Sequence, residues 1–221
     1  MSQEPAAGPP SDAASLCSQA KELGVDLPTP GAESLLAYLD AMLEVNQQVN
    51  LTAIRDREQA LVLHVLDGLA AGLHGLRPQH VLDLGSGNGF PGVAVAALHP
   101  KASVMLLDRT GKKVRAMGAC LMTARLQGIE TLQMDAAQAP TLRRDLRQAF
   151  DLVTARAVGQ PGPLAALAAP LLQPKGQLML WLDEKTEMPQ RVDGFRRAGI
   201  VEYQRPAPAS RTRRIALLER V

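Results

Sequence analysis

The stretch VLDLGSGNGFPG, Val81 to Gly92, decides the fold. Residues 81–84 read as a buried strand, and Gly85, Gly87 and Gly89 turn it into a loop. Pro91 suits the first turn of a helix that buries Val93, Val95 and Leu98 before Pro100 ends it. Three glycines in so short a loop leave bare backbone, against which a ligand can lie with no Cβ in the way. In an open parallel sheet, ligands bind beyond the carboxyl ends of the strands, near the switch in strand order.

Toward the C-terminus, short apolar runs recur at 104–107, 129–134, 152–154 and 178–182. Counted from residue 81, their starts are 23, 25, 23 and 26 residues apart. That interval fits one strand plus one crossover helix, repeated, which builds a parallel sheet covered on both faces. Segments 201–204 and 215–218 suit a closing hairpin beside it. Toward the N-terminus the pattern is helical. Thr29 suits an N-cap with Pro30 at the first position, and Leu35, Leu36, Leu39, Met42, Leu43 and Val49 form one apolar stripe. Asp56 with Gln59 opens a further helix that carries Leu61, Val65, Leu69 and Leu73 inward and ends near Gly75. Residues 1–15, rich in Ala, Pro, Gly and Ser, are expected to be disordered apart from the start of a helix over 12–23. The reading is an α/β fold: a doubly wound, mostly parallel, Rossmann-like sheet over 78–221, with an N-terminal helical cap over 16–77.

Composition narrows the function classes. Hydrophobic residues make up 46% of the chain and aromatics only 3%, so the core is built from Ala, Leu, Val and Met. A net charge of +2 permits a nucleic-acid substrate without demanding one. The two cysteines, Cys17 and Cys120, form neither a disulfide framework nor a metal-ligand pattern, so no metal and a cytoplasmic setting are expected. The N-terminal segment has no basic leader or apolar core, and no apolar run is long enough to cross a membrane.

A dinucleotide fingerprint needs its third glycine three positions after the second, where this chain has Phe90. G-x-G-x-G, with Asp83 two residues ahead, instead resembles the first motif of class I S-adenosylmethionine-dependent methyltransferases. Asp108, closing the second strand, can accept from both ribose hydroxyls of such a cofactor, although a solvated strand-end acid is a serious rival. Asp135, after the third strand, stands where it can accept from an adenine amine, with the Ala136–Ala137 backbone alongside; a bland reading is equally good.

The runs NQQVNLTAIRDREQALVLHVLDGL (46–69), VLDLGSGNGFPG and LLDRTGKKVRAM together resemble the RsmG (GidB) family over residues 33–185. Members methylate N7 of a guanine in 16S ribosomal RNA. The distinctive features are NLT at Asn50–Thr52, the pair His64 and Asp67, FPG after the glycine loop, and TARAV at Thr154–Val158. The resemblance implies cofactor-binding roles for Gly85, Phe90, Ala136, Ala137 and Arg156. It also implies that His64 and Asp67, on one helix face, position the guanine. Without it, the two would be read as bonding each other or nearby backbone. The implied partner is 16S ribosomal RNA or the small ribosomal subunit, bound by a monomer.

N7 is a lone-pair nucleophile with no proton to lose, so its methylation needs alignment rather than a base, and no Ser/His/Asp or Cys/His constellation is visible. Basic clusters at Lys112, Lys113 and Arg115, at Arg143, Arg144 and Arg147, at Arg196 and Arg197, and at Arg211, Arg213 and Arg214 offer phosphate contacts, the first being the best placed. Two rivals share these features: a small-molecule methyltransferase, active without RNA, and a non-catalytic RNA-binding module, unable to bind the cofactor.

Overall fold

A computed structural model describes residues 12–156, 160–182, 186–192 and 194–221. The disorder expected over 1–11, and Ala157 and Val158 of the TARAV segment, lie outside the described residues. Three helical segments come first. In α1 (Ala13–Glu22) the Asp12 carboxylate accepts from the Ser15 N–H at 2.8 Å, so 13–15 are helical rather than disordered. Helix α2 (Thr29–Val45) starts at Thr29 itself; Pro28 holds the cap position, and no side chain caps the helix, which corrects the role expected of Thr29. The run 57–74, here α3, opens on Asp56, whose carboxylate accepts from the Gln59 N–H at 2.8 Å. It passes through a π-helical turn at Leu61–Leu66 and ends in a 3-10 turn at Ala70–His74, closed by Gly75 at φ 65°. Glycine carries that left-handed conformation without a Cβ penalty.

The remaining helices are α4 (Gly92–Leu98), α5 (Gly111–Thr123), α6 (Ala139–Leu142) and α7 (Pro161–Ala168). The strands are β1 (His80–Leu84), β2 (Ser103–Asp108), β3 (Ile129–Gln133), β4 (Phe150–Arg156), β5 (Leu172–Leu182), β6 (Arg191–Val192), β7 (Phe195–Arg205) and β8 (Arg211–Arg220). They form one sheet in the order β3-β2-β1-β4-β5-β8-β7-β6. β1 to β5 pair in parallel, and the last three strands are antiparallel. The switch falls between β1 and β4, and the glycine loop leaves the carboxyl end of β1 beside it. β7 and β8 run well past 201–204 and 215–218, because their flanks alternate charged and half-buried residues that an apolar-run reading skips.

The N-terminal helices cover one face of the sheet together with α4 and α5. Leu35, Leu39 and Met42 of α2 share a core there with Val93, Met117 and Trp181. Each such fully buried side chain stabilises the docking by roughly 1.5–3 kcal/mol. On the other face, α7 packs Leu164 and Ala165 against Leu84, Val153 and Leu180.

Candidate active site

The carboxyl ends of β1, β2 and β4 and the loop after β3 open onto a cleft of about 540 Å³, lined by Gly85, Gly87, Asp108, Asp135, Ala136 and Arg156 among others. Its floor is the glycine loop. Gly85 (φ 67°) and Gly87 (φ 57°) both adopt left-handed conformations that side chains resist. The loop is tied down from below, because the Gly85 and Ser86 N–H groups both donate to the Leu107 carbonyl, at 2.9 and 3.0 Å. Gly89 (φ 92°) lies against the Tyr38 hydroxyl, which donates to the Asn88 carbonyl at 3.0 Å, so α2 also braces the loop.

Asp108 is 8% exposed, and both its oxygens already accept backbone protons: Oδ2 from Gly87 at 3.0 Å, Oδ1 from Thr110 at 2.8 Å. One carboxylate therefore fixes two loops and still presents further lone pairs to the cleft. Asp135 Oδ1 accepts from the Ala137 N–H at 2.9 Å, which engages that donor; Ala136, not Ala137, faces the cleft. Lys113, expected among the RNA contacts, lines this cleft instead. Phe90 is not among the lining residues. Its ring packs inward, stacked on His64 with centroids 6.0 Å apart and edge-on to Tyr38 at 5.6 Å.

Behind the cleft, Arg156 leads to a buried polar cluster. Its NH1 donates to the Leu63 carbonyl at 3.0 Å and to Asp67 Oδ2 at 3.2 Å, and its NH2 faces His64 Nδ1 at 3.4 Å. His64 Nε2 meets the Thr52 hydroxyl at 3.0 Å. Burial, reinforced by the Arg156 charge, pushes the His64 pKa down to about 3, so the ring is neutral near pH 7. With Nδ1 toward a guanidinium, Nε2 carries the proton and donates to Thr52. His64 and Asp67 thus meet through Arg156, not through a bond to each other. Asp67 is 2% exposed; its Oδ1 accepts from the Tyr203 hydroxyl at 2.7 Å, and its carbonyl accepts from the Trp181 indole at 2.9 Å. Asp83, the acid of the glycine motif, lies beneath the loop, 1% exposed. Its Oδ1 accepts from the Thr154 hydroxyl at 2.6 Å, while its Oδ2 has no hydrogen-bond partner among the described residues. Burial raises its pKa to about 6 against the opposing pull of Thr154 and Arg156.

The family model described as rRNA small subunit methyltransferase G (GidB) matches residues 31–204. The chain belongs to that family. Ribosomal RNA small subunit methyltransferase G of Syntrophotalea carbinolica is 35% identical over 182 residues, covering 81% of this chain and 82% of its own. The protein of the same name from Leptothrix cholodnii is 35% identical over 187 residues, covering 81% and 80%. A SAM-dependent methyltransferase structure from Aquifex aeolicus matches with a TM-score of 0.55 at 16% identity, over 74% of this chain and 93% of that one. The last likeness is one of fold alone.

Within this family member, several residues of the cluster behind the cleft carry no sequence signal of their own. Thr52 belongs to the NLT motif, and the motif's purpose is visible here. Asn46 accepts from the Leu51 and Thr52 N–H groups and donates to the Thr52 carbonyl, presenting the Thr52 hydroxyl to His64. Tyr203 and Arg205 come from the hairpin, far in sequence from the Asp67 they meet, so no local pattern points to that meeting; Arg213, read in the sequence as a phosphate contact, approaches the same carboxylate. Among the described residues, no group of three or more His, Cys, Asp or Glu is placed to hold a metal ion, and no helix is long and apolar enough to cross a membrane.

Proposed function

We propose that this chain transfers a methyl group from S-adenosylmethionine to N7 of a guanine in 16S ribosomal RNA. The observation that carries the reading is a glycine-floored cleft, with a carboxylate at its second strand end, placed beside a polar cluster whose histidine is held neutral. The residues present fit the cofactor. Bare backbone at Gly85 and Gly87 admits it closely, and about 540 Å³ falls within the usual range of small-ligand sites. The remaining lone pairs of Asp108 would take the ribose hydroxyls, and Asp135 with the Ala136 backbone would take the adenine edge. Arg156 supplies a cation for the carboxylate of the amino-acid end. When bound, the cofactor supplies an electrophilic methyl carbon on a sulfonium.

The chain's own residues then have to align and exclude water. A ring with a pKa of about 3 is a poor proton acceptor, so His64 does not serve as a general base at neutral pH. A lone-pair nucleophile such as guanine N7 needs none. Asp67, buried beneath Arg156, acts as a positioning residue: it sets where the guanidinium points. His64 and Thr52 hold the same guanidinium from the other side.

The test is nucleoside analysis of small-subunit ribosomal RNA from a strain lacking the protein. Loss of one 7-methylguanine, restored on complementation, is expected. An unchanged 7-methylguanine content in that strain rules the reading out.

A further inference from the structure

The three glycines of the motif do not all serve the cleft. Gly85 and Gly87 line it, and Gly89 does not. A Cβ placed on Gly89 would lie 2.2 Å from the Tyr38 hydroxyl oxygen and 2.9 Å from the ring carbon that carries it. Bare backbone at this position therefore makes room for a side chain of the helical cap.

Tyr38 comes from α2 and is fully buried. A buried phenol needs a hydrogen-bond partner, and this one donates to the Asn88 carbonyl at 3.0 Å. Pro91, three residues beyond Asn88, has no N–H with which to close a turn onto that carbonyl. No backbone N–H among the described residues reaches it, so the hydroxyl satisfies it. Burial, with Cys120 and Asp83 nearby adding to it, raises the Tyr38 pKa well above the ordinary phenol value, and the hydroxyl stays a donor. The loop beside it is closed on itself. Asn88 Oδ1 accepts from the Phe90 N–H at 3.2 Å, and the Gly89 N–H donates to the Ser86 carbonyl at 2.8 Å. One residue earlier, the Gly87 N–H donates to Asp108 Oδ2 at 3.0 Å, tying the loop to the end of β2. The Tyr38 ring also meets Phe90 edge-on, and Phe90 stacks on His64. A single side chain of the cap thus touches both the carbonyl at 88 and the ring at 90.

We propose that Tyr38 is a positioning residue for the cofactor, its hydroxyl holding the 87–90 backbone in its ligand-receiving shape before the ligand arrives; this rests on the reading of the cleft as the S-adenosylmethionine site. Without the hydroxyl the buried Asn88 carbonyl is left unsatisfied, and the empty loop relaxes to find another donor. Binding must then reorder it, which lowers affinity. A tyrosine that only filled the core would contribute stability and leave the affinity of the folded protein unchanged.

The experiment compares the wild type with Tyr38→Phe, which keeps the ring and removes the hydroxyl. Leu16→Ala serves as the control: it opens a gap in the buried face of α1 and removes no hydrogen bond to the loop. S-adenosylhomocysteine is titrated by calorimetry under conditions where urea curves show each variant fully folded. Methyl transfer uses small ribosomal subunits lacking the modification. For Tyr38→Phe, the Kd for S-adenosylhomocysteine and the KM for S-adenosylmethionine should each rise about fivefold, the scale of one lost hydrogen bond. Its kcat should stay within about twofold of the wild type, because the hydroxyl touches no reacting atom. Leu16→Ala should lower the urea midpoint and leave the Kd unchanged. An unchanged Kd in Tyr38→Phe overturns the positioning role alone. An equal rise in Leu16→Ala overturns it too, because any loosening of the cap then has the same effect. Should Tyr38→Phe fail to fold, hydrogen exchange of the wild type decides. The Gly89 amide should be protected before ligand is added, and free exchange until S-adenosylhomocysteine is present overturns the role. No binding of S-adenosylhomocysteine by the wild type overturns the cofactor reading and this role with it.

Discussion

Asp108 shows how much one side chain can be asked to do. Both oxygens accept backbone protons, from Gly87 and Thr110, before any ligand arrives. Asp108→Asn is therefore not a mild change, since its amide nitrogen must face one of two donors and leave that donor unsatisfied. A weakening of S-adenosylhomocysteine binding by about 1.5–3 kcal/mol is expected by calorimetry; unchanged affinity would show that the carboxylate does not organise the cleft. His64 gives a pH prediction. Its pKa is about 3 in the fold against 6.5 for a free histidine, so on acidification the unfolded chain takes up a proton first. The stability it contributes above pH 6.5 is lost as pH falls, by about 2 kcal/mol on reaching roughly pH 5. Asp83 works in the opposite sense, its raised pKa of about 6 favouring the fold as pH falls, so only a difference isolates His64. Urea unfolding of the wild type and His64→Gln at both ends of that window should show the wild type losing about that much more; parallel losses would contradict the buried neutral ring. At this scale Gly85, Asp108 and Asp135 were placed together from the sequence, because a parallel sheet puts its strand ends on one edge, and they do line one cleft; Arg156, which also lines it, was pointed to by the family resemblance alone. The direction of the Phe90 ring was not legible, since it follows from the loop's backbone path and from the space beside His64.

At the scale of elements, periodicity located the helices and strands but not their irregularities. The π-helical turn at Leu61–Leu66 sits where apolar residues crowd both sides of a helical stripe, a pattern that suits either winding. It is nonetheless the turn that carries His64. The hairpin was under-read for a related reason: its outer residues are charged, and their place in the sheet is decided by pairing with β5 and with each other. Docking of the helical cap gives a prediction of its own. A Cβ added at Gly31 of α2 would lie 2.6 Å from the Ala97 carbonyl oxygen at the end of α4, a backbone atom that cannot swing aside. Gly31→Ala should cost about 1–3 kcal/mol through forced separation of the two helices, measured as a lowered urea midpoint. A midpoint equal to the wild type would mean that the cap is not held closely there.

For the whole molecule, function follows from which ends of which elements the topology brings together. The cleft opens at the strand ends around the switch between β1 and β4, α3 holds the arginine that lines it from behind, and a hairpin distant in sequence braces the Asp67 carboxylate that pairs with that arginine. The fold was readable because the strand intervals repeat; the bracing was not, because Tyr203 and Asp67 are 136 residues apart. The most direct test of methyl transfer is chemical. Purified protein, tritiated S-adenosylmethionine and small ribosomal subunits lacking the modification should yield label in RNA that digests to 7-methylguanosine. Label in another nucleoside, or none in RNA while the cofactor binds, would contradict the account.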